Sequence, residues 1–262
     1  MKKLLFFILT LSLSLTLFGC GKKDEKTTDL VKDSDWKTAA ELISIYKSDD
    51  TLKVSEVKMT FEFNDDDGLS YIGYMTFLLF NNVAPKTVDN FVKLTEKGFY
   101  DNLTITRVVD QTLMQGGDPE KTTLNETKDS TNTIKGEFEE NEVFNNLSHR
   151  RGVISMARAS DFDSASSQFF VVNDNYTSGD GTYAAFGVLL EEKDENGNAL
   201  SLDTRTFTYE NGKRVLYDYD CLDMICNKSL DSGSVDAAPL HTIEIKKAEV
   251  LYNSVSLSTI IK

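Results

Sequence analysis

Histidine is almost missing from this chain, with only His149 and His241 among 262 residues. Neither stands at a metal-ligand spacing, so the common zinc signatures are excluded and no metal is expected. Cysteine is scarce too. Of the three, Cys221 and Cys226 are five apart, which is not a zinc-pair spacing. On a helix, five residues turn through about 500°, which sets the two thiols on different faces and disfavours a disulfide. They read as small buried residues. A glycine loop that could cradle phosphate is also missing. Gln115-Gly116-Gly117-Asp118-Pro119 lacks the following Lys-Ser/Thr and a strand–loop–helix setting. Basic charge is in deficit, with 28 Lys and Arg against 42 Asp and Glu and a formal charge of −14. That balance argues against nucleic acid and against adhesion to anionic lipid.

What is present begins at the N-terminus. Lys2 and Lys3 precede an apolar run, Leu4 to Phe18, and Gly19-Cys20 ends it. The run is short for a membrane span and has the layout of a secretory leader. Leu17-Phe18-Gly19-Cys20 resembles a bacterial lipobox. That resemblance implies cleavage after residue 19, lipidation of Cys20, and a chain anchored outside the cytoplasm. Removing residues 1–19 takes away two lysines and no acid, moving the formal charge to −16. Residues 20–53 read as a polar tether with a possible short helix, in which Trp36, Ala39, Ala40, Ile43 and Tyr46 share a face.

Further along, Val57 to Phe63 alternates with period two, and Tyr71 to Phe80 follows an acidic turn at Asn64-Asp65-Asp66-Asp67-Gly68. The two runs read as a hairpin. The acidic cluster lacks the ligand spacing of an EF-hand loop and reads as a solvated turn. Pro85 opens a helix with Val88, Phe91, Val92 and Leu94 on its apolar side, and Gly98 ends it. Strands are expected at 99–109, 152–157, 168–172, 184–190 and 241–251, and a second helix at 220–228. Asn211-Gly212 between two β-rich runs marks a hairpin within an insertion at about 191–219. Many short strands with two helices predict a closed, mostly antiparallel β-barrel over residues 54–252, with 253–262 as a tail.

Three segments carry a more specific signal. They are Arg107-Val108-Val109-Asp110-Gln111-Thr112-Leu113-Met114-Gln115-Gly116-Gly117-Asp118-Pro119, then Gly152 to Arg158 with Ser167-Gln168-Phe169-Phe170-Val171, then Asp180-Gly181-Thr182-Tyr183-Ala184-Ala185-Phe186-Gly187. With Val83 to Phe91, Gly136-Glu137-Phe138 and His149 in the expected order, the chain resembles the cyclophilin family of peptidyl-prolyl cis–trans isomerases. The resemblance implies an eight-stranded antiparallel barrel capped by two helices. It also implies isomerisation of the bond before proline, with no cofactor. Arg107, Gln115 and Phe170 take the catalytic positions. Thr112, Leu113, Ala157, Arg158, Gln168, Gly179 and Tyr183 take substrate-binding positions.

The chain departs from that pattern on one wall. Thr112 stands where the family favours Phe, Gly179 where relatives have Leu, and Ser178 near an aromatic position. The lost contact with a proline ring is worth roughly 1–3 kcal/mol, so reduced activity is expected. The implied partners are proline-containing segments of exported polypeptides, and a monomer is expected. A cyclophilin-like chaperone or peptide-binding module with little catalysis is the alternative.

Overall fold

The computed structural model describes residues 35–120, 132–191, 208–228 and 236–260. The segment expected to be a leader, Cys20 and the expected tether as far as Ser34 lie outside them, as does most of the insertion at about 191–219.

Ahead of the barrel, helix α1 (Ala39–Ser48) is started by a reciprocal capping box between Thr38 and Glu41. It buries Leu42 and Tyr46 against a cluster containing Val54, Leu78 and Phe80. Ala39 and Ile43 pack against the same cluster, as expected, while Ala40 is exposed and Trp36 precedes the helix. Strand β1 (Lys53–Asn64) buries Val57, Met59, Phe61 and Phe63, while Lys58, Thr60 and Glu62 stay partly exposed. Asp65 builds the turn, its Oδ1 accepting from the backbone N–H of Asp67 at 3.0 Å and Leu69 at 2.8 Å. Strand β2 (Ser70–Phe80) returns along β1 from Asn64↔Ser70 to Val54↔Phe80.

Helix α2 (Pro85–Glu96) buries Thr87, Val88, Phe91, Val92 and Thr95; Leu94 is only partly covered. Six further barrel strands follow: β3 (Leu103–Val109), β4 (Leu113–Gly116), β5 (Val153–Met156), β6 (Phe169–Val172), β7 (Ala185–Leu189) and, near the C-terminus, β11 (Ile243–Ser256). Their order is β1-β11-β3-β4-β6-β5-β7-β2, and β2 pairs back to β1. All eight pairings are antiparallel, so the ring closes and leaves no barrel edge.

Between β7 and β11 stand the hairpin β8 (Tyr209–Glu210) and β9 (Lys213–Tyr217), helix α3 (Asp218–Cys226) and the short strand β10 (Asp236–Ala237). Asn211 and Gly212 turn the hairpin with φ of +50° and +79°. Strand β9 runs parallel to β2 outside the ring. Helix α3 starts two residues before the expected position because Asp218 is buried and takes the N–H of Thr76 at 3.1 Å. Cys221 and Cys226 are free and fully buried in the barrel core with Phe61, Phe77, Phe169 and Phe186.

The segment expected as a tail is structured as far as residue 260. Strand β11 runs on to Ser256, and helix α4 (Leu257–Ile260) buries Leu257 beside α1.

Candidate active site

Cross-strand partners in an antiparallel sheet share a face. Arg107 on β3 pairs with Gln115 on β4, Gln115 pairs with Phe170 on β6, and Phe170 pairs with Ser155 on β5. Phe169 points the other way, into the barrel, where Phe91 lies edge-on to it at 5.7 Å. The register therefore sets Arg107, Gln115 and Phe170 in one row on the outer surface.

A cavity of about 110 Å³ opens over this row. Its walls are Arg107, Leu113, Gln115, Ala157, Arg158, Phe170, Tyr176 and Tyr183. A second, of about 260 Å³, shares Gln115, Ala157 and Arg158 and adds Gln168 with Ala159, Ser164 and Ser166. Two of the expected substrate-binding residues lie outside both cavities. Thr112 lines neither cavity. It sits in the β3–β4 turn, where its hydroxyl donates to the Asp110 carbonyl at 3.0 Å and its own carbonyl accepts from Asn173. Gly179 also lines neither.

The reason for Gly179 lies in Tyr176. A Cβ at position 179 would stand 2.8 Å and 2.9 Å from two carbons of the Tyr176 ring. The missing side chain leaves room for that ring, which joins Phe170 edge-on at 6.1 Å. Tyr183 meets Phe170 from another side at 5.4 Å and 85°. The wall expected to be thin is thus rebuilt in tyrosine. Among the described residues of the 191–219 insertion, none lines either cavity, and Tyr209 is exposed.

This wall has a testable signature. Gly179→Leu should push the Tyr176 ring aside, and Tyr176→Ala should remove it. Each is expected to weaken peptide binding by about three- to tenfold, from loss of partial aromatic cover. The double variant should bind better than the product of the two losses, because Leu can occupy the vacated space. Peptide titration of all four proteins reads this, and strict additivity would count against the rebuilt wall.

Arg107 is held as a fork. Its Nε and Nη2 donate to the two carboxylate oxygens of Asp236, both at 2.7 Å. Its Nη1 donates to Gln115 Oε1 at 3.1 Å, and Gln115 Nε2 donates to Gln168 Oε1 at 3.0 Å. The hydrogen-bonded Asp236 carboxylate pushes the guanidinium pKa further up, and Arg107 holds the Asp236 carboxyl below its ordinary range. Asp236 and Tyr176 are the two residues of this site that sequence reasoning missed.

Beneath Phe170 lies His149, 1% exposed, its ring stacked at 5.9 Å and 14°. Its Nδ1 is 2.8 Å from Asp180 Oδ1 and its Nε2 is 3.0 Å from Ser155 Oγ. Burial alone would push the Asp180 carboxyl up. Hydrogen bonds from the His149 ring, the His149 N–H and Ser148 outweigh burial and hold it below its ordinary value. The arrangement has the distances of a Ser-His-Asp triad, but Ser155 is 0% exposed and cannot meet a substrate. It is a rigid base under the Phe170 ring.

The family model described as cyclophilin type peptidyl-prolyl cis-trans isomerase/CLD matches residues 59–195. The chain belongs to this family. Within it, the "Putative peptidyl-prolyl cis-trans isomerase" of Staphylococcus aureus is 41% identical over 100 residues. That match covers 38% of this chain and 48% of the relative, so the chain spans about half the length of the curated relative it matches. The "Putative bifunctional phosphatase/peptidyl-prolyl cis-trans isomerase" of Streptococcus pyogenes is 39% identical over 103 residues, covering 39% of this chain and 21% of its own. A crystal structure of a Cryptosporidium parvum cyclophilin covers 76% of this chain and 99% of its own, at a TM-score of 0.52 and 23% identity. That last likeness bears on the cyclophilin fold alone.

Proposed function

We propose that this cyclophilin catalyses cis–trans isomerisation of peptide bonds preceding proline in exported polypeptides. The observation that carries the reading is a fixed guanidinium, Arg107, at the rim of an aromatic pocket of proline size. The planar amide resists rotation by about 18–20 kcal/mol because the nitrogen lone pair is shared with the carbonyl. A donor aimed at that nitrogen favours the pyramidal, unconjugated form, which exists only at the transition state. Asp236 and Gln115 engage three of the guanidinium N–H groups. Of the five that arginine carries, two remain for the substrate. Leu113, Phe170, Tyr176 and Tyr183 surround the ring, and no cofactor takes part. The direct test is an isomerisation assay of the full chain on a proline-containing peptide. A rate equal to the uncatalysed one would sink the reading.

The peptide-binding module remains a second reading, favoured by one observation. Asp236 places a negative charge against Arg107, which lowers the net field the amide nitrogen meets. Binding without turnover in the same assay would select it.

The proposal includes place. The basic start, the apolar run and Cys20 support a chain lipidated at Cys20 and held at the outer face of a bacterial cytoplasmic membrane. Cys20→Ser is expected to shift the protein from the membrane fraction to the soluble fraction of the producing cell. Unchanged membrane retention would count against the anchor. One chain supplies all the described residues that line the smaller cavity, which supports a monomer as the acting unit.

A further inference from the structure

We propose that Arg158 makes the groove selective for an acidic side chain close to the proline. The inference rests on the reading that the groove binds proline-containing peptides, and adds the chemistry of the neighbouring residue. Arg158 borders both cavities, so a peptide whose proline fills the smaller one passes it. Its guanidinium stands 5.0 Å from the ring centres of Phe138, Phe162 and Tyr183. Its Nε donates to the Thr182 carbonyl at 3.0 Å and its Nη1 to the Ala159 carbonyl at 3.0 Å.

Those partners are rings and neutral carbonyls. They fix the guanidinium without neutralising it. Arg107, the other cation of the groove, is already matched by the Asp236 carboxylate. The carboxylates on the neighbouring loop are engaged by backbone and amide donors rather than by Arg158. Asp161 Oδ1 takes the N–H of Asp163, and Asp163 Oδ1 takes the N–H of Gly136 and the side-chain amide of Asn141. Among the described residues, the rest of the larger cavity is Gln115, Ala157, Ala159, Ser164, Ser166 and Gln168, which carry no charge to compete for a carboxylate or repel one. Arg158 is therefore a fixed, half-buried cation in a cleft whose other described walls are uncharged, on a chain whose formal charge is −14. Beyond a Debye length of about 8 Å, salt screens the repulsion of the whole chain. The short-range attraction at Arg158 then decides.

The test uses the full chain and fluorescent peptides that carry glutamate or the isosteric glutamine, at each of the two positions on either side of one proline. Binding and isomerisation are both measured at physiological ionic strength. At one position, glutamate should bind on the order of fivefold tighter than glutamine. Arg158→Gln should bring that ratio to about one, and Arg158→Lys should keep part of it. Equal binding of the two peptides at every position, or a ratio unchanged in Arg158→Gln, overturns the proposal. A glutamate preference in binding without any turnover upholds it and overturns the isomerase reading instead.

Discussion

Arg107→Ala is expected to lower kcat/KM on a proline-containing peptide by roughly 100- to 1000-fold, the scale of losing one preorganised transition-state donor. The loss should fall mainly on kcat, with KM little changed, because the donor matters only when the amide nitrogen becomes pyramidal. Stability should barely move. Arg107 and Asp236 are 42% and 45% exposed, and pairs this open contribute about 0–1 kcal/mol. Arg107→Lys is expected to fail nearly as badly, since a point ammonium cannot reproduce a fork that meets Asp236 with two nitrogens and Gln115 with the third. The measurement is steady-state isomerisation beside a thermal melt of each variant. An alanine variant as active as the wild type would dismiss Arg107 as the catalytic donor. Asp236→Ala separates positioning from charge. A loss of kcat there says that orientation dominates; a gain says that the carboxylate was restraining the guanidinium field.

That pair also marks the limit of what sequence could reveal. Arg107, Gln115 and Phe170 were legible because motif order placed them, and strand register then had to align them. Leu113, Ala157, Arg158, Gln168 and Tyr183 followed on the same logic. Asp236 was not legible. It lies 129 residues from Arg107, on a two-residue strand without hydrophobic alternation, and reaches the site only through pairing with β3. Tyr176 had a faint signal: a glycine at 179, where a side chain is usual, invites a large neighbour to fill the space. The motif position of Thr112 says nothing about the turn geometry that engages its hydroxyl with Asp110 and its carbonyl with Asn173. The closed barrel was readable from alternating runs. Strand β4 was not read separately, since four residues ending in glycine give too little periodicity. On helix α1 the expected face holds for Ala39, Ile43 and Tyr46 but leaves out Leu42, because docking on Phe80 and Leu78 decides which side is covered.

The largest effect on folding is expected from Glu137, a buried carboxylate far in sequence from the helix it serves. Helix α2 begins with Pro85 and has no side-chain cap of its own at Ala84. Its first N–H groups have no partner within the helix, and that of Thr87 is buried. Glu137 Oε1 takes the N–H of Lys86 at 3.0 Å, and Oε2 takes the N–H of Thr87 at 2.8 Å and its hydroxyl at 2.7 Å. A carboxylate here also meets the positive end of the helix dipole. Glu137→Ala removes three charge-assisted hydrogen bonds and leaves the buried Thr87 donors unmet, at a cost of about 3–5 kcal/mol. For a fold of this size that is a fall in Tm of roughly 6–20 °C. Glu137→Gln should recover only part, because its amide group turns a donor toward donors. Thr87→Val should cost less than Glu137→Ala, since both backbone bonds survive. Adding Thr87→Val to Glu137→Ala should cost little more, as the hydroxyl has already lost its acceptor. Thermal melts of the four variants read the series, and a Glu137→Ala melt within a degree or two of the wild type would show that α2 is held by its apolar face alone. The groove should be spared in the molecules that remain folded, because Arg107, Gln115 and Phe170 are positioned by β3, β4 and β6 rather than by α2.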